Sequence, residues 1–215
     1  MTFDPIPYLG AVTRAVEHCE RDGRAARAVV ATRDYPTSVG DLWDALTNPE
    51  RIPRWFLPIS GDLRPGGRYQ FEGNAGGTIT ACRPPKQLAV TWEYCGQVSW
   101  VTVKLEREAD ESTRLTLEHL AYADEAKWDE FGPGAVGVGW EMALVGLAIH
   151  LATREAVDPA RAAGWFASEP GRDFLRRSSD DWGRASITAG TPRDAALAAA
   201  ERTRAAYFGE PPAGA

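Results

Sequence analysis

His119 closes the stretch Leu115-Thr116-Leu117-Glu118-His119, where strand alternation turns its imidazole to the same side as Leu115 and Leu117. An imidazole facing inward at a strand end can donate a hydrogen bond to a bound molecule or move a proton. The sequence sets no carboxylate or nucleophile beside it. Glu118 alternates to the opposite face unless a bulge intervenes, and Glu93 does the same between Trp92 and Tyr94. The preferred reading is a structural histidine paired with a backbone carbonyl. The sharper alternative is a catalytic acid or base, His119 together with a tyrosine such as Tyr69 or Tyr94. His150 ends a long apolar helical stretch and reads as packed or as a helix C-terminal residue.

Aromatic residues form the second candidate set. Trp55, Trp92, Tyr94, Trp100 and Trp140 have the character of a cavity wall, since small-molecule sites are lined by apolar rings with few polar groups, although core packing accounts for each one singly. Trp92 and Trp140 are the stronger choices; Trp100 has the wrong parity relative to Val101 and Val103 and marks a rim or an interface. The expected lining is Trp55, Tyr69, Phe71, Trp92, Tyr94, His119, Trp140 and Leu144. Three His and three Cys are scattered without ligand spacing, which argues against zinc. Cys19, Cys82 and Cys95 are expected as reduced thiols in the core. No nucleophile elbow or Walker loop occurs, and Gly137-Val138-Gly139 lacks the third glycine of a dinucleotide loop. That pair of glycines reads instead as letting a helix start close to a sheet. No cofactor is expected.

A formal net charge of −6 without a basic cluster argues against nucleic acid or an anionic membrane as the main partner. The apolar stretch from Ala135 to Ala152 carries Glu141 and His150 and reads as a buried helix rather than a membrane span. Asp4, Pro5 and Pro7 stand where a secretory leader would be basic, so a cytoplasmic location is expected.

The elements that must position these residues follow from periodicity. Leu9, Val12, Val16 and Cys19 at helical spacing predict an amphipathic helix over 8–20, with Gly23 as its stop. Ala28 to Ala31 reads as a strand. Thr37 or Ser38 caps a helix carrying Val39, Leu42, Trp43 and Leu46, and Pro49 starts a short helix that brings Trp55 and Phe56 together. From Ile59 to Leu120 the period is two, broken at Pro65-Gly66-Gly67, at residues 73–77, at Pro84-Pro85 and at residues 109–111, which predicts an antiparallel meander. A long helix over about 136–155 follows, then helices over 171–190 and 192–208, with a frayed tail from Gly209.

This order suggests a helix-grip fold, and particular motifs sharpen it. Leu42-Trp43-Asp44-Ala45-Leu46-Thr47-Asn48-Pro49-Glu50-Arg51 with Arg54-Trp55-Phe56, then Arg64-Pro65-Gly66-Gly67-Arg68-Tyr69-Gln70-Phe71, resemble the opening motifs of the heat-shock protein 90 ATPase activator homologue family. Thr91-Trp92-Glu93-Tyr94, Thr113 to His119, and Gly139-Trp140 with Leu144 resemble its central strand, last strand and closing helix. The resemblance covers about 28–151. It places the chain in the SRPBCC/START-like superfamily and implies an α+β helix-grip (START/Bet v-like) fold: a curved antiparallel sheet around a long C-terminal helix, here with extra helices at both ends.

The expected organisation is a domain over 1–157 that includes the N-terminal helix, and a helical extension over 158–215 packed on it. The resemblance further implies a cavity between sheet and long helix. The leading expectation is therefore binding of an apolar small molecule without catalysis. A polyketide cyclase-like enzyme using a cavity His or Tyr, and a co-chaperone or regulatory interaction module, remain as alternatives. A chaperone partner is unproven on this reading, and the extension is left open as a cover for the cavity mouth, a homodimer contact or added stability.

Overall fold

The structure, a computed structural model, describes residues 5–6, 12–109 and 111–210. Its eight strands form one antiparallel sheet: β1 (Val12–Arg21), β2 (Arg24–Tyr35), β3 (Ile59–Gly61), β4 (Arg68–Phe71), β5 (Gly76–Arg83), β6 (Gln87–Tyr94), β7 (Gln97–Ala109) and β8 (Ser112–Tyr122). They lie in the order β1-β2-β8-β7-β6-β5-β4-β3. After β2 the chain crosses to the far edge through α1 (Val39–Thr47) and a single 3-10 turn (Ile52–Arg54). The Ser38 hydroxyl caps α1 by accepting from the Asp41 amide at 3.3 Å. From β3 onward the sheet is the expected meander, running back until β8 pairs with β2.

The predicted N-terminal helix is overturned. Tyr8 and Leu9 lie outside the described residues, but Val12–Arg21 is an edge strand whose Val16 sits opposite Val29. The misleading signal was chemical. Arg14 occupies an inward position where alternation leads one to expect an apolar residue, and it is accommodated there because Nε and Nη2 donate to Glu141 at 2.6 and 2.7 Å. Gly23, expected as a helix stop, belongs instead to a hairpin turn: Asp22 and Gly23 take φ of 52° and 73°, the all-positive geometry of a two-residue hairpin for which Asp-Gly is the preferred pair. Cys95-Gly96, at 49° and 75°, makes the same kind of turn between β6 and β7, a break the periodicity reading did not mark.

Helices follow β8: α2 (Glu125–Phe131), α3 (Gly134–Thr153), α4 (Pro159–Ala167), α5 (Glu169–Thr188) and α6 (Arg193–Tyr207). Of these, α2 and α4 fall in stretches to which the sequence reading assigned no helix or strand. Most of the tail expected to fray, from residue 211 on, lies outside the described residues. Helix α3 lies against the sheet as the grip helix. It is long and apolar enough to cross a membrane, yet 67% of its most apolar window is buried against the rest of the fold, which is what a core helix requires.

The C-terminal extension joins this core. Phe174, Leu175 and Trp182 of α5 belong to the same buried cluster as Val138, Leu144 and Leu147 of α3 and Leu115 and Leu117 of β8. Arg14, Glu141 and Asp181 tie β1, α3 and α5 together, Asp181 lying 3.1 Å from Arg14. Gly137 serves this contact rather than closeness to the sheet: a Cβ there would stand 2.3 Å from the fully buried Trp182 ring.

Candidate functional site

The motif Leu42 to Phe56 folds into a clasp on the end of α3. Arg51 Nη1 donates to Asp41 and Asp44 at 2.8 and 2.9 Å, and Arg154, just past α3, donates to the same Asp41 carboxylate at 2.6 Å. Burial pushes the Asp41 carboxyl up, but hydrogen bonds from Arg154, Thr37 and Arg51 outweigh it and hold its pKa at about 2. His150 is drawn into the same clasp, between Arg51 Nε at 3.4 Å and the Glu155 carbonyl at 2.8 Å, which agrees with a packed role. The clasp seats Trp55, whose indole N–H donates to the Ala45 carbonyl at 2.9 Å, and brings Phe56 over the sheet.

Between the sheet and α3 lies an apolar cavity of about 140 Å³. Strand parity supplies most of its wall: Tyr69 and Phe71 of β4, Ile79 and Cys82 of β5, Val90 and Trp92 of β6, Val101 and Val103 of β7, and Leu115 and Leu117 of β8. Trp140, Ala143 and Leu144 come from α3, and Trp55 and Phe56 from the clasp. The rings interlock. Phe56 meets Phe71 edge-on at 4.9 Å and stacks toward Trp140 at 6.4 Å, while Trp92 meets Trp140 at 5.0 Å.

Polar atoms on this wall are largely spent on the protein itself. The Tyr69 hydroxyl donates to the Thr91 carbonyl at 2.7 Å, and burial raises its pKa well above the ordinary phenol value. The Thr47 hydroxyl donates to the Trp43 carbonyl at 2.8 Å. Trp140 Nε1–H donates to His119 Nδ1 at 2.9 Å. Because Nδ1 is the acceptor there, the imidazole proton belongs on Nε2, which donates to Ser99 Oγ at 2.8 Å; Ser99 in turn donates to the Trp92 carbonyl at 3.1 Å. Burial lowers the His119 pKa from 6.5 to about 4.

Of the eight expected lining residues, the structure gathers Trp55, Tyr69, Phe71, Trp92, Trp140 and Leu144 around this cavity. His119 and Tyr94 do not line it. His119 lies behind Trp92 and Trp140 and faces a separate open groove, and its partners are side chains rather than the expected backbone carbonyl. Tyr94 shares the face of Trp92, but the sheet ends beside it, so it opens onto the same groove and is 52% exposed. Trp100 turns to the other face as parity required, covered by Tyr122 at 5.1 Å and by the Arg21 guanidinium at 3.8 Å.

The sequence reading did not select Phe56, although its adjacency to Trp55 was noted, nor Ile79 and Val90, which alternation alone would have supplied. Ser99 had no local signal, since only the β6–β7 register brings it to His119. The cysteines are free thiols, but Cys19 and Cys95 are exposed, contrary to the expected core placement: Cys95 is in a tight turn and Cys19 is on an edge strand. Cys82 alone faces the cavity.

Residues 36–152 match the model of the family described as Activator of Hsp90 ATPase homolog 1-like protein. The crystal structure of CalU16 from Micromonospora echinospora is similar at 30% identity and TM-score 0.65, covering 85% of this chain and 100% of that one. Its solution structure gives 34% identity and TM-score 0.67, covering 84% and 97%. PFC0360w, an HSP90 activator from Plasmodium falciparum, shares the fold at 22% identity and TM-score 0.51, covering 58% and 96%. Among curated proteins nothing matches. A family match spanning more than half the chain, together with the CalU16 likeness over most of it, establishes that this chain belongs to the Activator of Hsp90 ATPase homolog 1-like protein family.

Proposed function

We propose that this protein binds a small apolar molecule, of about one aromatic ring in the resting cavity, and acts as a carrier or sensor rather than a catalyst. The observation that carries this reading is an apolar cavity in which the donors of Thr47, Trp55, Tyr69 and Trp140 are already hydrogen-bonded within the protein. Such a wall rewards apolar contact and offers little to a polar substrate. A volume of about 140 Å³ is close to the roughly 150 Å³ of an apolar cavity that accepts benzene.

The cyclase-like alternative is weaker on the same geometry. Proton transfer needs a group free to reach substrate. Both His119 nitrogens are engaged and its pKa is near 4, the Tyr69 proton is committed to Thr91, and Tyr94 opens away from the cavity.

Titration with toluene while following tryptophan fluorescence, excited at a wavelength that toluene does not absorb, tests the reading. Wild type should show saturable quenching, and Ala143→Leu, which fills the cavity from α3, should abolish it with the fold retained by circular dichroism. Absence of a saturable signal in the folded wild type would overturn it.

A further inference from the structure

The groove beyond Trp92 and His119 has a different character from the cavity. It is bounded by the ends of β2, β6, β7 and β8 and by α2 and the start of α3, and its volume of about 690 Å³ lies in the range of roughly 300–1,000 Å³ usual for small-molecule sites. One side is apolar and uncovered. Five large hydrophobic residues are exposed among the described residues, and three of them, Tyr94, Val98 and Val136, meet at this groove with 52%, 48% and 37% exposure. Clustered apolar exposure of this kind marks a binding surface, whereas scattered single residues do not.

The other side is cationic in a chain of net charge −6. Arg24, Arg27 and Lys127 line it, against Asp124 as the acid among the described lining side chains. Asp124 is occupied in capping α2, its Oδ1 accepting from the Lys127 amide at 3.2 Å. The guanidinium of Arg24 sits 3.7 Å above the Tyr122 ring and that of Arg27 sits 4.6 Å above Trp128. Lys127 Nζ donates to the neutral Gln97 side chain at 2.7 Å. Arg24 and Lys127 thus carry no ion-pair partner among the described residues, while aromatic faces and an amide hold the cations in place. Seating charges in advance lowers the ordering cost of binding an anion.

We propose that this groove is a second binding site, for an amphiphilic organic anion. Its acid group sits between Arg24 and Lys127, and its apolar body lies along Tyr94, Val98 and Val136. A planar carboxylate suits the guanidinium fork of Arg24, and the apolar strip opposite selects a ligand with a ring system or chain behind the acid. The site is separate from the cavity between sheet and α3, and the inference does not depend on what that cavity holds.

Calorimetric titration of the full chain with 2-naphthoate and with its neutral counterpart 2-naphthalenemethanol tests it. The acid should bind on the order of 10-fold more tightly than the alcohol, as a charge-assisted contact warrants, and should weaken as salt is raised. Arg24→Gln with Lys127→Gln should erase that preference, and Val98→Asp should abolish naphthoate binding, all three positions being exposed enough to leave the fold intact. Ala143→Leu should leave naphthoate binding unchanged. Equal affinity for acid and alcohol, or a preference that survives loss of Arg24 and Lys127, would overturn the proposal. Loss of naphthoate binding in Ala143→Leu alone would move the ligand to the inner cavity and overturn it equally.

Discussion

Replacing His119 by Gln isolates one titration from the rest of the molecule. In the folded chain the imidazole is buried, 7% exposed, and its pKa is about 4 against an ordinary 6.5. Protonation would also turn Nδ1 from acceptor to donor, facing the Trp140 N–H at 2.9 Å. The sign follows directly. Above pH 6.5 the group is neutral in both states and costs nothing. As pH falls below 6.5 the unfolded chain takes up the proton first, so stability drops until the folded state also protonates near pH 4. The gap is worth about 3 kcal/mol at about 1.36 kcal/mol per pH unit.

Glutamine keeps an acceptor for Trp140 and a donor for Ser99 without a titrating group. Urea unfolding of wild type and His119→Gln, followed by tryptophan fluorescence between pH 7.5 and pH 4 and expressed as the difference between the two proteins, reads the effect. Wild type should lose up to about 3 kcal/mol more than the variant across that window. Burial also lowers the His150 pKa, but His150 is present in both proteins and cancels in the difference. Parallel curves would refute the neutral, buried, doubly hydrogen-bonded histidine on which the non-catalytic reading leans.

Two further outcomes test the frame around the cavity. Gly137→Ala drives a methyl into the Trp182 ring, where its Cβ would stand 2.3 Å away, and should lower stability by roughly 1–3 kcal/mol, read as a fall in Tm with α3 and α5 affected together. Asp41→Asn removes the carboxylate shared by Arg51 and Arg154. Since its pKa is about 2 in the folded chain against an ordinary 3.8, the variant should be weaker than wild type at neutral pH, and the difference between the two in urea melts should shrink as pH falls from 3.8 toward 2, the other carboxylates cancelling in that difference.

Wherever side chains alternated cleanly, the chain announced its own structure. Leu115 and Leu117, Val101 and Val103, and Trp92 reach the concave face because a strand has a period of two, and Trp100 is turned out for the same reason. The Ser38 cap, the long apolar run that becomes α3 and the motifs around Trp55 and Trp140 were likewise local signals, and they placed six of the eight expected residues around one cavity. Tertiary structure decided the rest, because it turns on partners remote in the chain. Arg14 is tolerated inside only because Glu141 lies 127 residues away in sequence and a hydrogen bond away in space, and this is why β1 imitated a helix. His119 has both ring nitrogens engaged because β7 presents Ser99 and α3 presents Trp140 to them. Periodicity sets which face a side chain occupies; only packing sets what waits for it there.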